Sequence, residues 1–305
     1  MTVEQIIAQE KRKCLLAWEN EDHSKDDRLE YFDQNFESWI KQFPDQYIAI
    51  LLTLVTNMEY CTHIKVNHFL RSLHQDLLKK SCVTDDDTIY TFIRSKDGHS
   101  NSSNDYWTEY RLINSINSNI CMVDLSKLLP QAIACIKNII VIDDFSGTGK
   151  SLITEMKNNP QVYKGKDIFF ITIGIMEKAI EKIQRYCDSI GARITFICAF
   201  VQKKAFLRNL FEDDSDAKKA IEDVSRKLKI PECWIMGFDK SQALVAFYNN
   251  TPNNTLGIFH YDTEEYKSIF PRKREYIPSW RTMQQDKEKR ENANYYNMIT
   301  ERSNG

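Results

Sequence analysis

The segment NIIVIDDFSGTGKSL, residues 138–152, carries the strongest structural signal in the chain. Residues 139–142 are apolar and β-branched, which predicts a strand buried on both faces of a parallel sheet. Two acids, Asp143 and Asp144, follow this strand directly, and a turn rich in glycine and hydroxyl residues comes next. Because ligands of open parallel sheets bind at the carboxyl ends of the strands, this order predicts a site for a sugar phosphate.

The turn contains the residue types that a phosphate-binding loop requires. Gly147 and Gly149 have no Cβ, so the backbone can turn sharply there and approach a ligand closely. Consecutive free N–H groups in such a turn form an anion-binding nest, and a helix that begins near Lys150 adds the positive end of its dipole. The predicted phosphate-binding residues are Ser146, Gly147, Thr148, Gly149, Lys150 and Ser151.

The acid pair is the predicted catalytic and metal-binding element. If a 5′-phosphate occupies the turn, the vicinal hydroxyls of its ribose lie near Asp143 and Asp144. Carboxylates accept hydrogen bonds from hydroxyls, and they hold Mg²⁺ directly or through water. We therefore expect Asp143 and Asp144 to bind the ribose and a magnesium ion.

Two other interpretations of the segment are open. A Walker A loop, G-x-x-x-x-G-K-[ST], requires a glycine five positions before Gly149, and Asp144 occupies that position. The chain could be an NTPase only if its loop can bind a nucleotide without the first glycine of the Walker A motif. In the second interpretation, the strand simply ends in a solvent-exposed turn of two acids and a glycine that binds no ligand.

The chain resembles a known family in two places. The segment DDFSGTGKS, residues 143–151, closely resembles the PRPP-binding motif of type I phosphoribosyltransferases, in which two acids precede a short phosphate loop. The C-terminal signature of the PRTase-CE family is similar to MGF at 236–238, ALVAFYNNTPNNTLGIFH at 243–260 and FPR at 270–272. This phosphoribosyltransferase-like family recurs in bacterial conflict and anti-phage cassettes, including some that are associated with retrons.

The resemblance implies both a fold and a function. It implies an α/β protein with a parallel-sheet type I phosphoribosyltransferase-like core, which binds PRPP or a related ribose 5-phosphate nucleotide together with Mg²⁺. It also implies an effector of a retron-type anti-phage defence system. Its partners would come from the same cassette, such as a reverse transcriptase with its RNA or DNA. The alternative is a non-catalytic module that senses PRPP or a nucleotide within a defence complex.

One residue departs from the pattern of the family. In purine phosphoribosyltransferases, the residue before the TGKT turn is an acid that serves as general base toward the purine. Gly147 occupies that position in this chain. The sequence therefore keeps the residues for PRPP and lacks the carboxylate that would act on a purine ring.

Composition indicates a globular cytoplasmic protein. The chain has 305 residues, of which 42% are hydrophobic, and this length and composition predict two domains with a sizeable core. A net charge of −2 gives no global attraction to nucleic acid or membrane. The eight cysteines show no CxxC spacing, which predicts reduced thiols. The N-terminus is too polar for a signal peptide, and the longest apolar run, at residues 47–55, is too short to cross a membrane.

The hydrophobic pattern divides the chain into three parts. Residues 1–84 show only helical spacing and predict an N-terminal all-helical domain. Residues 85–270 alternate between strand and helix patterns, which predicts the α/β domain, and residues 271–305 form a polar tail. Beside the strand of the motif, we predict strands at 88–93, 168–175, 194–200, 244–248 and 256–260, and helices at 105–116, 176–190 and 213–229.

Several further residues are weaker candidates. The loop at 94–104 follows the first strand of the α/β region, where the resemblance places pyrophosphate recognition, although a solvated loop has the same composition. Asn253 and Asn254 lie in the segment TPNN, which is typical of a turn and is less indicative of a ligand contact. The candidate pyrophosphate contacts are Arg94, Lys96, Ser102 and Ser103.

The histidines and the tail are more ordinary features. His63, His68 and His74 are spaced by five and six residues, so they do not share one helix face as metal ligands would. The basic cluster at 271–274 belongs to a polar tail that is solvated by default; an arm that docks on a partner protein or nucleic acid is the alternative.

Overall fold

The computed structural model describes residues 2–18, 26–95, 101–272 and 278–280, together with residues 283 and 287. The strands are β1 (Glu59–Cys61), β2 (Thr88–Phe92), β3 (Asn138–Ser146), β4 (Asp167–Met176), β5 (Arg193–Gln202) and β6 (Val245–Phe247). The helices are α1 (Val3–Trp18), α2 (Asp27–Ile40), α3 (Asp45–Thr56), α4 (His63–Lys80), α5 (Ser102–Ile113), α6 (Pro130–Cys135), α7 (Lys150–Asn158), α8 (Pro160–Tyr163), α9 (Glu177–Ser189), α10 (Asp214–Lys227), α11 (Glu232–Ile235) and α12 (Gly257–His260).

A parallel sheet of four strands forms the centre of the fold. Its strand order is β2-β3-β4-β5, and each strand pairs in parallel with the next one along the chain. All residues of β2, and all residues of β4 after Asp167, are buried, so both faces of the sheet are covered. The predicted α/β class with a parallel core is confirmed. The strand predictions within this sheet are correct to within a few residues.

Four helices share one hydrophobic core with this sheet. Helix α5 packs on β2 and β3, and α4 contacts both α5 and the far strands β4 and β5. Helix α9 packs on β4 and β5, and α7 packs against α9. The apolar residues of α9 recur at helical spacing and are buried at Ala179, Ile183 and Cys187, which is why this segment forms an amphipathic helix.

A second hydrophobic core joins the N-terminal helices to the last part of the chain. The buried residues of α1, α2 and α3 pack with those of α10, α11 and α12. Phe270 is central to this core, because its ring lies 5.4 Å from the ring of Phe32, 5.4 Å from that of Tyr60 and 5.7 Å from that of Trp18. The described residues up to 94 and from 101 to 272 form one compact unit.

A short strand interrupts the helical region, contrary to the prediction of helices only for residues 1–84. Strand β1 lies between α3 and α4 and pairs in parallel with β6, with Tyr60 opposite Ala246. A run of three residues between two helices shows no period of its own. Its partner lies far away in the sequence, so the local pattern does not indicate the pairing.

The predicted strand at 256–260 is also wrong. Thr255 forms a single bridge with Ala243, and the chain then turns into the one-turn helix α12, in which the Tyr261 N–H donates to the Gly257 carbonyl. All four residues of α12 are buried. A short run that is apolar throughout fits a buried strand and a buried helical turn equally well.

Two helices, α10 and α5, begin directly after a residue whose side chain caps them. Asp213 caps α10, since its carboxylate accepts hydrogen bonds from the N–H groups of Ser215 and Asp216, as the DDSD run predicts. Helix α5 begins three residues earlier than expected because Asn101 caps it through the Asn104 N–H.

Other predictions have mixed outcomes. All eight cysteines lie in the described part of the chain and are free thiols. Within that part, none of the helices has the length and apolar character needed to cross a membrane. Apart from residues 271–272, 278–280, 283 and 287, the tail from residue 271 lies outside the described residues. The domain limits at residues 84 and 270 remain a prediction.

Replacement of Phe270 by alanine tests the second core. Phe270 is fully buried among three aromatic rings, so we expect Phe270→Ala to lower the free energy of unfolding by about 3–5 kcal/mol, measured by urea denaturation. Leu16→Ala is the control, because Leu16 on α1 is 66% exposed and its truncation is expected to cost less than about 1 kcal/mol. Equal losses in the two variants would contradict this account.

Candidate functional site

The predicted phosphate loop connects β3 to α7 at the carboxyl edge of the parallel sheet. Gly149 precedes α7 with a φ of +71°, in the left-handed region where glycine is favoured. A Cβ on Gly149 would also lie 2.8 Å from Cγ1 of Ile183 on α9. Glycine is therefore required here both by the backbone conformation and by the close packing of the loop on α9. The Lys150 N–H at the start of α7 donates to the Thr148 hydroxyl over 3.4 Å, and the other N–H groups of the first turn have no acceptor within the helix, as at any helix N-terminus.

The acid pair sits at the end of β3. Asp143 is buried and Asp144 is partly exposed. The Asp144 N–H donates to Oδ1 of Asp143 over 3.0 Å, and the Ser102 hydroxyl donates to Oδ1 of Asp144 over 3.1 Å. The Thr172 hydroxyl of β4 donates to the Asp144 carbonyl over 3.0 Å and fixes the backbone there. The acid pair is thus held in place by hydrogen bonds within β3 and from α5 and β4.

Both carboxyl groups have raised pKa values. Burial is the main reason that the pKa of Asp143 lies well above its ordinary range, and the charge of Asp144 adds to the shift. Burial also raises the pKa of Asp144, although hydrogen bonds from its neighbours oppose the increase. Two carboxylates in such a place favour a ligand that brings positive charge.

The oxygen donors of the pair suit Mg²⁺, which often uses one or two protein carboxylates and completes its coordination with water and substrate oxygens. Among the described residues, no group of three or more His, Cys, Asp or Glu side chains is placed to hold a metal ion. In the same part of the chain, His63 hydrogen-bonds with Glu109 at 2.8 Å and His74 with the Tyr110 hydroxyl at 2.7 Å, so both act as structural side chains. Any magnesium site at Asp143 and Asp144 would complete its coordination with water or with oxygens of the substrate.

Helix α5 begins beside the acid pair. Ser102 at its first position contacts Asp144, as described above, whereas the Ser103 hydroxyl donates to the Ile142 carbonyl and accepts from the Ile93 N–H. Ser103 therefore ties α5 to β2 and β3. Arg94, a candidate pyrophosphate contact, forms an ion pair with Asp124 at 2.6 Å. Lys96 lies outside the described residues.

A cationic side chain from the C-terminal part of the chain lies near the acid pair. Arg272 donates to the Thr251 carbonyl over 2.5 Å. Burial lowers the pKa of Arg272, and the nearby carboxylate of Asp144 partly offsets this decrease. Arg28 of α2 donates to the Thr251 hydroxyl over 2.6 Å and so holds the same segment from the other side. Arg28 and Arg272 therefore both hold Thr251 in the asparagine-rich segment.

The asparagine-rich segment lies directly against the phosphate loop. A Cβ on Gly147 would lie 2.1 Å from both Cγ and Nδ2 of Asn254. The buried Asn254 amide donates to the Ser241 hydroxyl over 3.2 Å, and that hydroxyl donates to the Asn254 carbonyl over 2.8 Å. Since this network fixes Asn254, no side chain fits at position 147. The absence of an acid there has a steric reason.

A turn with strained backbone conformations lies beside the phosphate loop. Gly237, Asp239, Lys240 and Gln242 all have φ values between +54° and +69°. Left-handed conformations in residues other than glycine are unfavourable and cluster at functional sites. The turn places the Asp239 carboxylate 3.0 Å from the amine of Lys150, which lowers the pKa of Asp239. The MGF motif and the phosphate loop are therefore in contact.

The structure brings the sequence-predicted residues together at one edge of the sheet. The acids lie within the last four residues of β3, Ser146 is its last residue, and the loop from Gly147 to Ser151 follows without interruption. Asn254 was a weak candidate from the sequence, whereas no role was predicted for Arg272 or Tyr106; the Tyr106 hydroxyl donates to the Asn249 side chain. Asn254 and Arg272 lie in the segments that resemble the family signature, and Tyr106 carried no such signal.

The contact between Gly147 and Asn254 is testable by a double-mutant cycle. We expect Gly147→Ala to lower the free energy of unfolding by about 1–3 kcal/mol, because its methyl group would displace the hydrogen-bonded Asn254 amide. Asn254→Ala removes the obstacle, so the double variant is expected to be more stable than the sum of the single effects by about 1 kcal/mol. Strictly additive losses in urea denaturation would argue against the contact.

Comparison with known proteins identifies the family of this site. A model of the family described as PRTase-CE matches residues 36–272. No curated protein has a significant match with the chain. The matched stretch covers more than half of the chain and contains the acid pair, the phosphate loop and the asparagine-rich segment. The chain therefore belongs to the PRTase-CE family of phosphoribosyltransferase-like proteins.

Proposed function

We propose that the protein binds PRPP, or a related ribose 5-phosphate nucleotide, with Mg²⁺ and transfers the phosphoribosyl group to an acceptor. The observation that carries this proposal is the acid pair of Asp143, which is buried, and Asp144, which is partly exposed, shortly before a glycine turn and a helix N-terminus. A ribose 5-phosphate has a dianionic group at one end and two neighbouring hydroxyls in the middle. The turn suits the first and the carboxylates suit the second.

The loop would bind the 5′-phosphate. Backbone N–H groups of the turn between β3 and α7 would donate to it, and the hydroxyls of Thr148 and Ser151 would add donors. Because Gly149 packs on α9 and Gly147 on Asn254, the loop has little freedom to change its shape. A loop that is already ordered loses little conformational entropy when it binds its ligand.

The acid pair would orient the ribose. Asp143 and Asp144 offer acceptors for the 2′- and 3′-hydroxyls, and the raised pKa of each acid is expected to fall when a cation is bound. Bound Mg²⁺ would be held by these carboxylates and would neutralise charge on the pyrophosphate oxygens. Arg272, close to Asp144, would add positive charge to the site.

The proposed transfer breaks the bond between C1′ and the pyrophosphate oxygen. Pyrophosphate leaves with the bonding electrons, and a nucleophile of the acceptor forms the new bond at C1′. The transition state resembles an oxocarbenium ion, as in glycoside cleavage. Asp143 and Asp144 hold the ribose so that C1′ is presented to the acceptor. No side chain at position 147 can accept the proton of that acceptor, so purine transfer is not part of the proposal.

The same steric observation supports a second candidate, a non-catalytic module that senses PRPP or a nucleotide. Asn254 fills the space beside Gly147, where the purine enzymes carry their general base. The remaining parts of the proposal rest on the family resemblance alone. These are the role in anti-phage defence and the cassette partners, such as a reverse transcriptase with its RNA or DNA. The proposed cytoplasmic location rests on the cysteine pattern of the sequence.

Ligand binding tests the proposed site. We expect calorimetry with Mg²⁺ to show binding of PRPP and not of ATP, and Asp143→Asn/Asp144→Asn to weaken PRPP binding by about tenfold or more, because charge-assisted hydrogen bonds are lost. Ser102→Ala is the matched control for the rim of the site, with a smaller loss. Binding of ATP alone, or unchanged PRPP binding in the double variant, would refute the proposal.

Pyrophosphate release separates the enzyme from the sensor. Purified protein with PRPP, Mg²⁺ and a small-molecule cell extract is expected to release pyrophosphate, and the Asp143→Asn/Asp144→Asn variant is not. Tight PRPP binding without release in any extract would favour the sensing module.

The raised pKa of Asp143 predicts a pH-dependent stability. Because the folded-state pKa exceeds the unfolded one, the stability contribution of Asp143 is present below the unfolded pKa and is lost as the pH rises through the folded pKa. Without Mg²⁺, we therefore expect Asp143→Asn to raise the melting temperature at pH 8 by about 2 °C or more, and less at pH 4. Mg²⁺ should stabilise the wild type at pH 8 and not the variant. A variant that melts below the wild type at pH 8 would contradict the account.

A further inference from the structure

A cleft opens beside the phosphate loop on the side of β4 and β5. Its volume is about 420 Å³, and Gly147 and Thr148 form one edge. Its floor contains Met176 and Gln202, which end β4 and β5 and are register partners across the two strands. The cleft thus lies at the carboxyl edge of the same sheet as the acid pair, but next to the other strands.

The walls of the cleft are rich in lysine. Two of its three acids already have ion-pair partners: Glu177 pairs with Lys203 at 3.9 Å, and Asp239 pairs with Lys182 at 3.7 Å. Asp239 also pairs with Lys150, as noted above, and the third acid, Glu181, lies on the exposed rim. The four lysines of the lining are Lys178, Lys182, Lys203 and Lys204.

Two of these lysines have no acidic partner within 4.0 Å among the residues that the structure describes, namely Lys178 and Lys204. Lys204 is partly buried, and burial lowers its pKa, with further decreases from the charges of Lys178 and Lys218. The two ammonium groups repel each other; Lys204 is partly removed from water, Lys178 is exposed, and the charge of Asp239 only partly offsets the decrease in the pKa of Lys204. An anion placed between them would stabilise both.

The rest of the lining limits what the ligand can be. The Gln202 side chain donates to the Leu244 carbonyl over 2.9 Å and accepts from the Leu244 N–H over 3.2 Å, so its amide is already used. Met176 is buried at the floor, and Leu207 is 60% exposed at the mouth. The cleft therefore offers positive charge and apolar surface. The buried amide of Gln202 is already hydrogen-bonded, so it is not available to form hydrogen bonds with a nucleobase. Its volume suits a small molecule.

We propose that this cleft binds the anionic group of a second small ligand, a phosphate monoester with an apolar or aromatic body, next to the ribose 5-phosphate. Lys178 and Lys204 would contact the anion, and Met176 and Leu207 would contact the body. That this ligand is the acceptor of the transfer rests on the proposed function; its binding in the cleft does not. The cleft shares Gly147 and Thr148 with the phosphate loop, so the two ligands would lie side by side.

Phenyl phosphate is a suitable probe, because it carries a phosphate and a ring and has no ribose. The protein is first saturated with ribose 5-phosphate and then titrated with phenyl phosphate by calorimetry. We expect one site, weakened about tenfold or more in Lys178→Gln/Lys204→Gln because two charge-assisted contacts are lost. The charge-matched control is Lys13→Gln/Lys79→Gln, on exposed lysines of α1 and α4, which should leave the affinity unchanged.

The outcomes separate the cleft from the proposed function. Loss of PRPP binding in Asp143→Asn/Asp144→Asn with phenyl phosphate binding intact would support two separate sites. Binding of phenyl phosphate to a protein that does not bind PRPP would refute the proposed function and support the cleft. No binding of phenyl phosphate to the wild type, or equal binding to Lys178→Gln/Lys204→Gln, would overturn the inference.

The identity of the ligand as acceptor has its own measurement. A small-molecule extract is divided on an anion-exchange resin, and each fraction is tested for pyrophosphate release from PRPP. We expect the active fraction to be retained by the resin, and Lys178→Gln/Lys204→Gln to lose that activity while its PRPP affinity stays unchanged. Activity in the unretained fraction, at equal rates in both proteins, would contradict an anionic acceptor.

Discussion

Two neighbouring carboxyl groups at the end of a buried strand are the constraint on which the site depends. Asp143 is buried and Asp144 stands beside it, so burial and mutual repulsion both disfavour the doubly ionised pair. Ser102 donates to Asp144 and Arg272 lies nearby, yet the pKa of each acid stays raised. A solvent-exposed acidic turn would not have this property. A ligand that supplies hydroxyl donors and a cation would stabilise the ionised pair.

The elements around the pair are held by contacts between distant parts of the chain. Phe270 packs among aromatic residues of α1, α2 and β1, and Arg28 of α2 donates to Thr251 in the asparagine-rich segment. That segment ends at Asn254, which touches the phosphate loop at Gly147. The N-terminal helices therefore have a direct structural connection to the loop. A change in their packing is expected to alter the position of Asn254 and the shape of the site.

The sequence predicts what local chemistry determines. Strand β3, its acids and its glycine turn follow from adjacent residues, and Asp213 caps α10 because a single side chain reaches its own helix. Features that depend on distant residues were not predictable: β1 pairs with β6, and Asn254 meets Gly147. The predicted strand at 256–260 was wrong for another reason, since an apolar run without a period fits both a strand and a buried helical turn.

The glycine at position 147 and the cleft with Lys178 and Lys204 favour the same kind of acceptor, an anionic one. Asn254 excludes a general base at position 147, so the proposed transfer is easiest for an acceptor whose nucleophile is already deprotonated or needs no base. The cleft with Lys178 and Lys204 suits an anionic molecule, and nearby ammonium groups lower the pKa of an acidic nucleophile. A neutral purine gains from neither feature. An anionic acceptor beside PRPP would explain why this chain keeps the carboxylate pair and carries a glycine where purine enzymes carry an acid.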